Sequence, residues 1–373
     1  MTRALQVLGL CAALMGTNRV ATAAAPAESL PAWAAHQPDN GAAVRIAVAP
    51  PADKRFTHLA WPKAIRAKDG TIVLAYLAGP LHGSGGCPAV SISTDAGKTF
   101  TPPNVLREFG KDKDYANSGN LALTQADDGA IVLLAMAHTE STNNIFGWRS
   151  TDSGKTWQRT DTSALGPNKT GSVTSLINSP DIGLIACGHY RAGTKEHPHG
   201  IWFAISRDQG RTWSDPLPIN DLNAGEPVMV QAADRLMVFI RSRDVPQSKQ
   251  YVAISDDKGK TWKTQLTEIG VEKGSGTLAH PFAMMNPDKA GELLMLTCER
   301  TSHGRVVLWH GDPQKLEFTR RRTVLEFPKI ADDKHTDYGY TWLVPMEKGR
   351  GLMFYYHGLG KGENLIWVTE ISY

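Results

Sequence analysis

Short apolar runs that follow Asp or Gly turns recur along the chain. Six runs have this form: Asp69–Tyr76, Asp128–Ala135, Asp181–Cys187, Asp234–Ile240, Gly291–Leu296 and Gly351–Tyr356. Just upstream of each lies another short apolar run: Trp61–Ile65, Asn120–Thr124, Val173–Ile177, Glu226–Val230, His280–Met284 and Tyr340–Val344. Short apolar runs bounded by turn residues, with no helical periodicity between them, are typical of β-strands. The pattern predicts an all-β protein built from six similar units.

A second repeat, S-x-D-x-G-x-T-[W/F], lies downstream of four of these runs. Its copies start at Ser93, Ser150, Ser206 and Ser255, with spacings of 57, 56 and 49 residues. A repeat of this length indicates a repeat architecture rather than one continuous sheet. Six units of four strands each predict a six-bladed β-propeller with four-stranded blades.

The chemistry of the repeated motif favours a structural role. An Asp in a tight turn accepts backbone N–H groups, and Gly supplies the positive φ that the turn needs. The Ser and Thr hydroxyls add local hydrogen bonds, and the final aromatic ring covers neighbouring strands. We therefore expect the motif to fasten each turn and its Asp residues to take no part in catalysis.

The first 25 residues have the pattern of a secretory signal peptide. Arg3 precedes an apolar run, residues 4–15, that is too short to span a bilayer, and small residues follow at 21–25. This predicts a secreted or periplasmic protein without a transmembrane segment. Residues 26–54 are expected to be a lead-in segment, and residues 55–373 the propeller.

Charge and cysteine usage exclude several partners. Removing the predicted signal takes away Arg3 and Arg19, so 40 basic residues become 38 against 37 acidic ones. This near-neutral balance does not predict a nucleic-acid partner. Cys87, Cys187 and Cys298 are widely separated and lack metal-ligand spacing, so we expect three buried thiols with no metal and no cofactor. The sequence leaves the oligomeric state open.

Polar residues are concentrated where the predicted strands end near the central axis. After the second strands come His82, His138, His189, Arg191, Arg241, Arg243 and Arg300, and before the first strands come His58, Glu226, His280, Asp337 and Tyr338. A single His or Arg at a strand end is more often a solvated rim residue than a ligand contact. The cluster as a whole predicts a polar pit that binds a carbohydrate-like or anionic ligand.

The repeated motif resembles the Asp-box, or BNR repeat, of the sialidase (neuraminidase) superfamily of six-bladed propellers, over roughly residues 55 to 373. Sialidases attack with a Tyr rather than a carboxylate. The segment Gly339–Leu343 is similar to the one that carries this nucleophile. The resemblance therefore implies Tyr340 as nucleophile, with Tyr338 as the alternative, and Glu226 as its base.

The resemblance also implies anion-binding arginines and a proton donor. Family members hold the substrate carboxylate with three Arg, for which Arg241 (or Arg243) and Arg305 (or Arg300) are the candidates here. The third Arg is missing from the expected segment Ala60–Trp61–Pro62. The expected acidic residue is missing too, because residues 70–94 contain no Asp or Glu. His82, which lies in that loop, is the remaining candidate for general acid.

These features predict a secreted, sialidase-like exo-glycosidase that acts on a glycan. Its terminal sugar need not be sialic acid, and acidic sugars are included. His138, His189, Arg191, Asp337 and Tyr338 are expected to contact the substrate. Two alternatives remain open, a non-catalytic glycan-binding propeller and a polysaccharide lyase that uses His and Tyr.

Overall fold

The computed structural model describes residues 35–191, 197–242, 248–272, 276–300, 304–328, 336–359 and 362–373. The predicted signal peptide lies outside these residues. Within them the chain forms β-strands and one short 3-10 turn, Ser163–Leu165. The predicted all-β class is therefore confirmed. No helix among the described residues has the length and apolar character needed to cross a membrane.

The strands follow one another with short connections. In chain order they are β1 (Gln37–Pro38), β2 (Arg45–Val48), β3 (His58–Arg66), β4 (Ile72–Gly79), β5 (Cys87–Ser93), β6 (Asn104–Val105), β7 (Asn117–Gln125), β8 (Ile131–His138), β9 (Asn143–Ser150), β10 (Gln158–Thr160), β11 (Gly171–Ser179), β12 (Gly183–Tyr190) and β13 (Ile201–Ser206). They continue with β14 (Leu217–Asn220), β15 (Ala224–Ala232), β16 (Arg235–Ser242), β17 (Lys249–Ser255), β18 (Lys263–Gly270), β19 (Thr277–Leu278), β20 (Phe282–Met285), β21 (Leu293–Arg300), β22 (Arg305–Asp312), β23 (Glu317–Glu326), β24 (Thr336–Glu347), β25 (Arg350–Leu359) and β26 (Asn364–Ser372).

Consecutive strands pair antiparallel, as a chain of β-hairpins requires. Three sheets have four strands each, β7 to β10, β11 to β14 and β15 to β18. Strands β19 to β23 form a further sheet with β1 at its edge. Strands β24 to β26 and β3 to β6 form the last sheet, in which β26 and β3 meet at a single parallel pair, Asn364 and His58.

The predicted lead-in segment, residues 26–54, contributes to these sheets. Within it, β1 pairs with β23 and β2 pairs with β26. The two strands cover sheet edges that would otherwise expose unpaired backbone groups. Residues 37–48 are thereby tied to β23 and β26, near the end of the chain.

All six predicted second strands are present, as β4, β8, β12, β16, β21 and β25. Five of the first strands, β3, β7, β11, β15 and β24, begin two to four residues earlier than predicted. The fifth in order is split into β19 and β20 around Ala279–Pro281. The other five first strands each contain an irregularity in the register, beyond which the backbone pairing resumes. The sequence pattern, which relies on regular alternation, therefore predicted each of these strands only from the irregularity onward.

First strands contact one another from sheet to sheet. Contacts join β3 to β7, β7 to β11, β11 to β15, β15 to β20, β20 to β24, and β24 back to β3. The second strands are buried over most of their length: Ile72 to Ala78 and Ile131 to Ala137 are all about 1% exposed or less. Cys87, Cys187 and Cys298 are buried free thiols, as predicted.

The four repeated turns have the same hydrogen bonds, as the turn at Ser206 illustrates. The Ser206 hydroxyl bonds to the Asp208 carboxylate and accepts the Gly210 N–H, both at 2.8 Å. Thr212 donates its N–H and its hydroxyl to the same carboxylate, at 2.9 and 2.6 Å. Gln209 and Gly210 have positive φ values of 63° and 83°. The geometry assigns the motif to turn formation.

Candidate active site

Backbone irregularities place three side chains at one level of the first strands. Trp61, Glu226 and Tyr340 have φ values of 55°, 52° and 50°, and each lies where the register shifts in β3, β15 or β24. Positive φ is unfavourable for a non-glycine residue, and bulges of this kind re-aim side chains beside active sites. The surrounding sheets hold the strain, which typically marks a functional position.

Tyr340, Glu226 and Arg241 form one hydrogen-bonded array. The Tyr340 hydroxyl donates to Glu226 Oε1 at 2.5 Å, and Arg241 Nη1 donates to Glu226 Oε2 at 2.7 Å. Burial alone would raise the pKa of Glu226, but Arg241, His280 and Tyr340 outweigh it and hold that pKa well below its ordinary value. Burial and the Glu226 charge raise the pKa of Tyr340 well above its ordinary value. The resting pair is therefore a phenol beside a carboxylate.

A buried lysine, Lys63, lies beside this array. Lys63 is 1% exposed, its Nζ is 3.0 Å from His280 Nε2, and it lies 4.1 Å from the centre of the Trp342 ring. The His280 ring packs against Tyr340 with centroids 5.1 Å apart. Burial lowers the pKa of Lys63 well below its ordinary value, although the Glu226 charge opposes this. The Glu226 charge thus pairs with Arg241 and also favours the charged form of Lys63.

Asp337 is the centre of a second array. His82 Nδ1 lies 2.6 Å from Asp337 Oδ2, and His58 Nε2 lies 3.8 Å from the same oxygen. The Tyr356 hydroxyl donates to Asp337 Oδ1 at 2.8 Å, and Arg300 Nη2 is 3.6 Å from it. The contact with Asp337 is the main cause that raises the pKa of His82. Burial would raise the pKa of Asp337, but its partners together lower it.

The two arrays are adjacent. The Trp61 ring packs against both Tyr340 and His82, with centroids 5.9 and 5.2 Å away. Arg300 donates to the Tyr356 hydroxyl at 3.0 Å, and the Tyr356 ring lies 5.8 Å from that of Tyr340. The positive charges of Arg241 and Arg300 both act on Tyr340 and oppose the rise in its pKa. The Tyr340 phenol, the two guanidinium groups and the His82 imidazole therefore belong to one site.

A cleft of about 580 Å³ opens beside Tyr340 and Glu226, within the usual range for ligand sites. Its walls include Trp61, Gly83, Asn120, His138, His189 and Arg191. His189 Nδ1 accepts the backbone N–H of Glu226 at 3.1 Å, which fixes the strained residue. Burial and nearby Arg191 lower the pKa of His138. The structure thus brings three of the predicted substrate contacts, His138, His189 and Arg191, to the cleft.

Other predicted residues lie elsewhere. Arg305 pairs with Glu299 at 2.6 Å and with Glu272 at 3.5 Å, because the fully buried Glu299 carboxylate requires positive partners. Of the two alternatives, Arg300 therefore lies in the site and Arg305 in a separate ion-pair cluster. Tyr338 contributes its carbonyl oxygen to Arg300, while its ring packs on Phe327. Arg243 lies outside the described residues.

Sequence reasoning placed His280 and Tyr356 only in the general polar cluster and gave no role to Trp61 or Lys63. The available signal was position: Trp61 occupies the slot in the first strand that corresponds to Glu226 and Tyr340, and Pro follows it just as Pro227 follows Glu226. Aligning the six first strands by this slot, rather than by their apolar runs, would have revealed it.

His58, His82 and Asp337 are also the one group of potential metal ligands among the described residues, with ligand atoms within 4.8 Å of one another. Tyr356 and Arg300 already occupy the other Asp337 oxygen, and His82 contacts Oδ2 directly. A carboxylate beside a guanidinium has little charge left for a cation. The group fits an ion-pair cluster centred on Asp337 better than a metal centre.

A family model described as the BNR repeat-like domain matches residues 104–350, more than half of the chain. The chain therefore belongs to this family, and the predicted relation to the sialidase superfamily is confirmed. No curated protein sequence matches the chain.

Solved structures share the fold at low sequence identity. A protein of unknown function from Dyadobacter fermentans is 18% identical, with a TM-score of 0.65 over 90% of this chain and 99% of its own. A Hadza microbial sialidase is 16% identical, with a TM-score of 0.63 over 86% of this chain and 66% of its own. An α-L-arabinofuranosidase from Fusarium graminearum is 12% identical, with a TM-score of 0.61 over 88% and 97%. Identities this low establish a common fold and leave the reaction open.

Proposed function

We propose that the protein is a glycoside hydrolase that releases a terminal sugar from a glycan and uses Tyr340 as its nucleophile. The observation that carries this proposal is the 2.5 Å contact between the Tyr340 hydroxyl and Glu226 in the wall of a cleft. Family membership and the fold shared with a sialidase and an arabinofuranosidase support the class of reaction.

The fold of this enzyme is a closed six-bladed propeller in our proposal. The support is the succession of contacts between first strands, which runs from β3 to β24 and returns to β3. In such a ring the bulges of the first strands face a common axis. That arrangement explains how residues as far apart in sequence as Trp61, Glu226 and Tyr340 meet.

Proton transfer and attack must be coupled in this site. The raised pKa of Tyr340 keeps the proton on the phenol, so a free phenolate does not form in the resting enzyme. As the oxygen attacks the anomeric carbon, Glu226 takes its proton over the existing 2.5 Å contact. An anionic substrate that draws Arg241 away from Glu226 would raise the basicity of the carboxylate at that moment.

The charges around Tyr340 favour an acidic sugar. The positive charges of Arg241 and Arg300 both act on Tyr340. A neutral phenol approaches a carboxylate-bearing carbon without charge repulsion. Guanidinium groups bind carboxylates in bidentate geometry. With the predicted signal peptide, the enzyme would act on such glycans outside the cytoplasm.

Hydrolysis of a panel of fluorogenic glycosides by the mature protein tests the proposal. The panel includes sialosides, uronides and arabinofuranosides, each assayed with wild type, Tyr340→Phe and the matched control Tyr76→Phe. Tyr76 is also buried and its hydroxyl bonds to Ser91 at 2.8 Å, away from the site. We expect at least one glycoside to be hydrolysed, a loss of about 10³-fold or more in kcat for Tyr340→Phe, and near-wild-type rates for Tyr76→Phe.

Three results would contradict the proposal. Undiminished turnover by Tyr340→Phe would exclude this nucleophile. Binding of glycans without hydrolysis of any would indicate the non-catalytic propeller. An unsaturated product with ultraviolet absorbance would indicate a lyase.

A further inference from the structure

The loop between β4 and β5 brings the His82 imidazole beside the cleft. His82 is the only residue between Gly70 and Thr94 that titrates near neutral pH. Its side chain is 42% exposed, and the following Gly83 lines the cleft together with Tyr340 and Glu226. The imidazole packs edge-on against Trp61, another residue of the cleft wall, so it lies beside the cleft and is open to solvent.

Asp337 fixes which nitrogen of this imidazole is used. It contacts Nδ1 at 2.6 Å, so Nε2 is the nitrogen left for the substrate. Asp337 is itself held, since Tyr356 donates to its other oxygen at 2.8 Å and Arg300 lies 3.6 Å away. The edges of Trp61 and His58 complete the setting of the ring, with centroids 5.2 and 5.3 Å from that of His82. A carboxylate bound to one nitrogen orients the ring and stabilises its charged form.

We infer that His82, oriented by Asp337, is the general acid and base of the hydrolysis, and that Asp337 is a positioning residue rather than a substrate contact. The inference rests on the proposed function. It assigns to a His and Asp couple, contributed by the first and last strand groups, the task that one carboxylic acid performs in most glycosidases.

The proton transfers balance over two steps. In the first, the Tyr340 oxygen bonds to the anomeric carbon, Glu226 takes the phenol proton, and His82 Nε2 gives its proton to the departing glycosidic oxygen. In the second, neutral His82 takes a proton from water as that water attacks the anomeric carbon. The Tyr340 oxygen then leaves and recovers its proton from Glu226, so the enzyme returns to its starting state.

The charged groups around His82 determine the sign of the pH dependence. Asp337 from β24 favours the imidazolium, while burial and Arg300 from β21 disfavour it. His58 from β3 has its own pKa lowered to about 4 and is neutral near pH 7. Tyr356 from β25 acts through Asp337 as a neutral phenol. Since the raised pKa of His82 keeps the acid protonated, activity should be lost as pH rises through that pKa.

The test uses paired glycosides of the same sugar, one with an activated aryl leaving group and one with an alkyl leaving group. Activated leaving groups need no proton, so removing a general acid affects them little. We expect His82→Ala and His82→Gln to lose about 10²-fold or more in kcat/KM, which reports the first step, on the alkyl glycoside, and far less in kcat/KM on the aryl glycoside. Asp337→Asn should shift the basic limb of the kcat/KM profile to lower pH.

His310→Gln is the matched control, because His310 Nδ1 contacts Glu292 at 3.1 Å in a separate His and carboxylate pair on β22. It should leave both the ratio of the two substrates and the basic limb unchanged. Thermal melts of each variant verify folding, and an NMR titration of His82 in wild type and Asp337→Asn measures the pairing directly.

Equal losses of kcat/KM on both glycosides in the His82 variants, or an unmoved basic limb in Asp337→Asn, would overturn the assignment while leaving Tyr340-dependent hydrolysis intact. Failure of wild type on every glycoside would instead refute the proposed function, and this inference with it.

Discussion

Replacing Glu226 by Gln tests whether one carboxylate balances the positive charge of the site. The change keeps the shape of the side chain and its ability to accept from Tyr340, but removes the negative charge. Arg241 Nη1, now 2.7 Å from Glu226 Oε2, would lose its counter-ion, and Lys63 would lose the nearest negative charge that opposes its desolvation. Arg241 and Lys63 would keep their places, because their backbones belong to the strands β16 and β3.

The expected cost follows from how deeply the ions lie. Removing one partner of a fully buried ion pair costs about 3–5 kcal/mol. Glu226 is 8% exposed and Lys63 is 1% exposed, whereas the Arg241 side chain keeps 23% of its exposure and some hydration. We therefore expect the low end, about 3 kcal/mol. With an unfolding entropy of about 0.7 kcal/mol per kelvin for a domain of this size, the Tm should fall by about 4 °C.

Urea unfolding at pH 7 and at pH 3 measures the effect and its sign. The folded-state pKa of Glu226 is depressed, so its stabilisation is present above the ordinary pKa near 4.5 and is lost as pH falls toward the folded value. The difference between wild type and Glu226→Gln should thus be smaller at pH 3. Arg241→Met in the Glu226→Gln background should recover part of the loss. Equal stability of wild type and Glu226→Gln at pH 7 would refute the charge balance.

Two further predictions concern the turns and the arginines. A Cβ added by Gly210→Ala would lie 2.8 Å from both Val132 methyl carbons at a φ of 83°. The free energy of unfolding should therefore fall by about 2 kcal/mol. Gly291→Ala, at a similar φ of 78° with nothing within 4 Å, should cost about 1 kcal/mol in the same urea assay, and equal costs would exclude the clash. Arg300→Met should lower kcat/KM on an acidic glycoside by about 10²-fold or more, while Arg305→Lys should leave it near wild type; the reverse order would exchange their roles.

The boundaries of the first strands show how far sequence patterns reach. Alternation predicted Trp61–Ile65 and Tyr340–Val344, yet β3 begins at His58 and β24 at Thr336. A bulge breaks the period of two, so residues before it fall out of phase with those after it. The functional side chains lie at that break, where a periodicity argument is weakest.

Two residues that the family resemblance singled out lie at positions of strained backbone. Tyr340 and Glu226 were both expected from their motifs, and the structure places them in contact. The choice between Arg300 and Arg305 depended on where a buried carboxylate lies, since Glu299 engages Arg305. No motif in the linear sequence distinguishes the two arginines.

The sequence by itself determined the all-β repeat, the turns with their Asp and Gly, and the Tyr and Glu of the candidate nucleophile pair. These depend on local chemistry, because alternation and turn hydrogen bonds act over a few residues. Only the tertiary structure decided that Asp337 contacts His82, that Trp61 packs against both arrays, and that Lys63 lies close enough to Glu226 for its charge to act on it. Those contacts depend on residues that lie far apart in the chain, and burial then sets the charges and pKa values that the candidate chemistry requires.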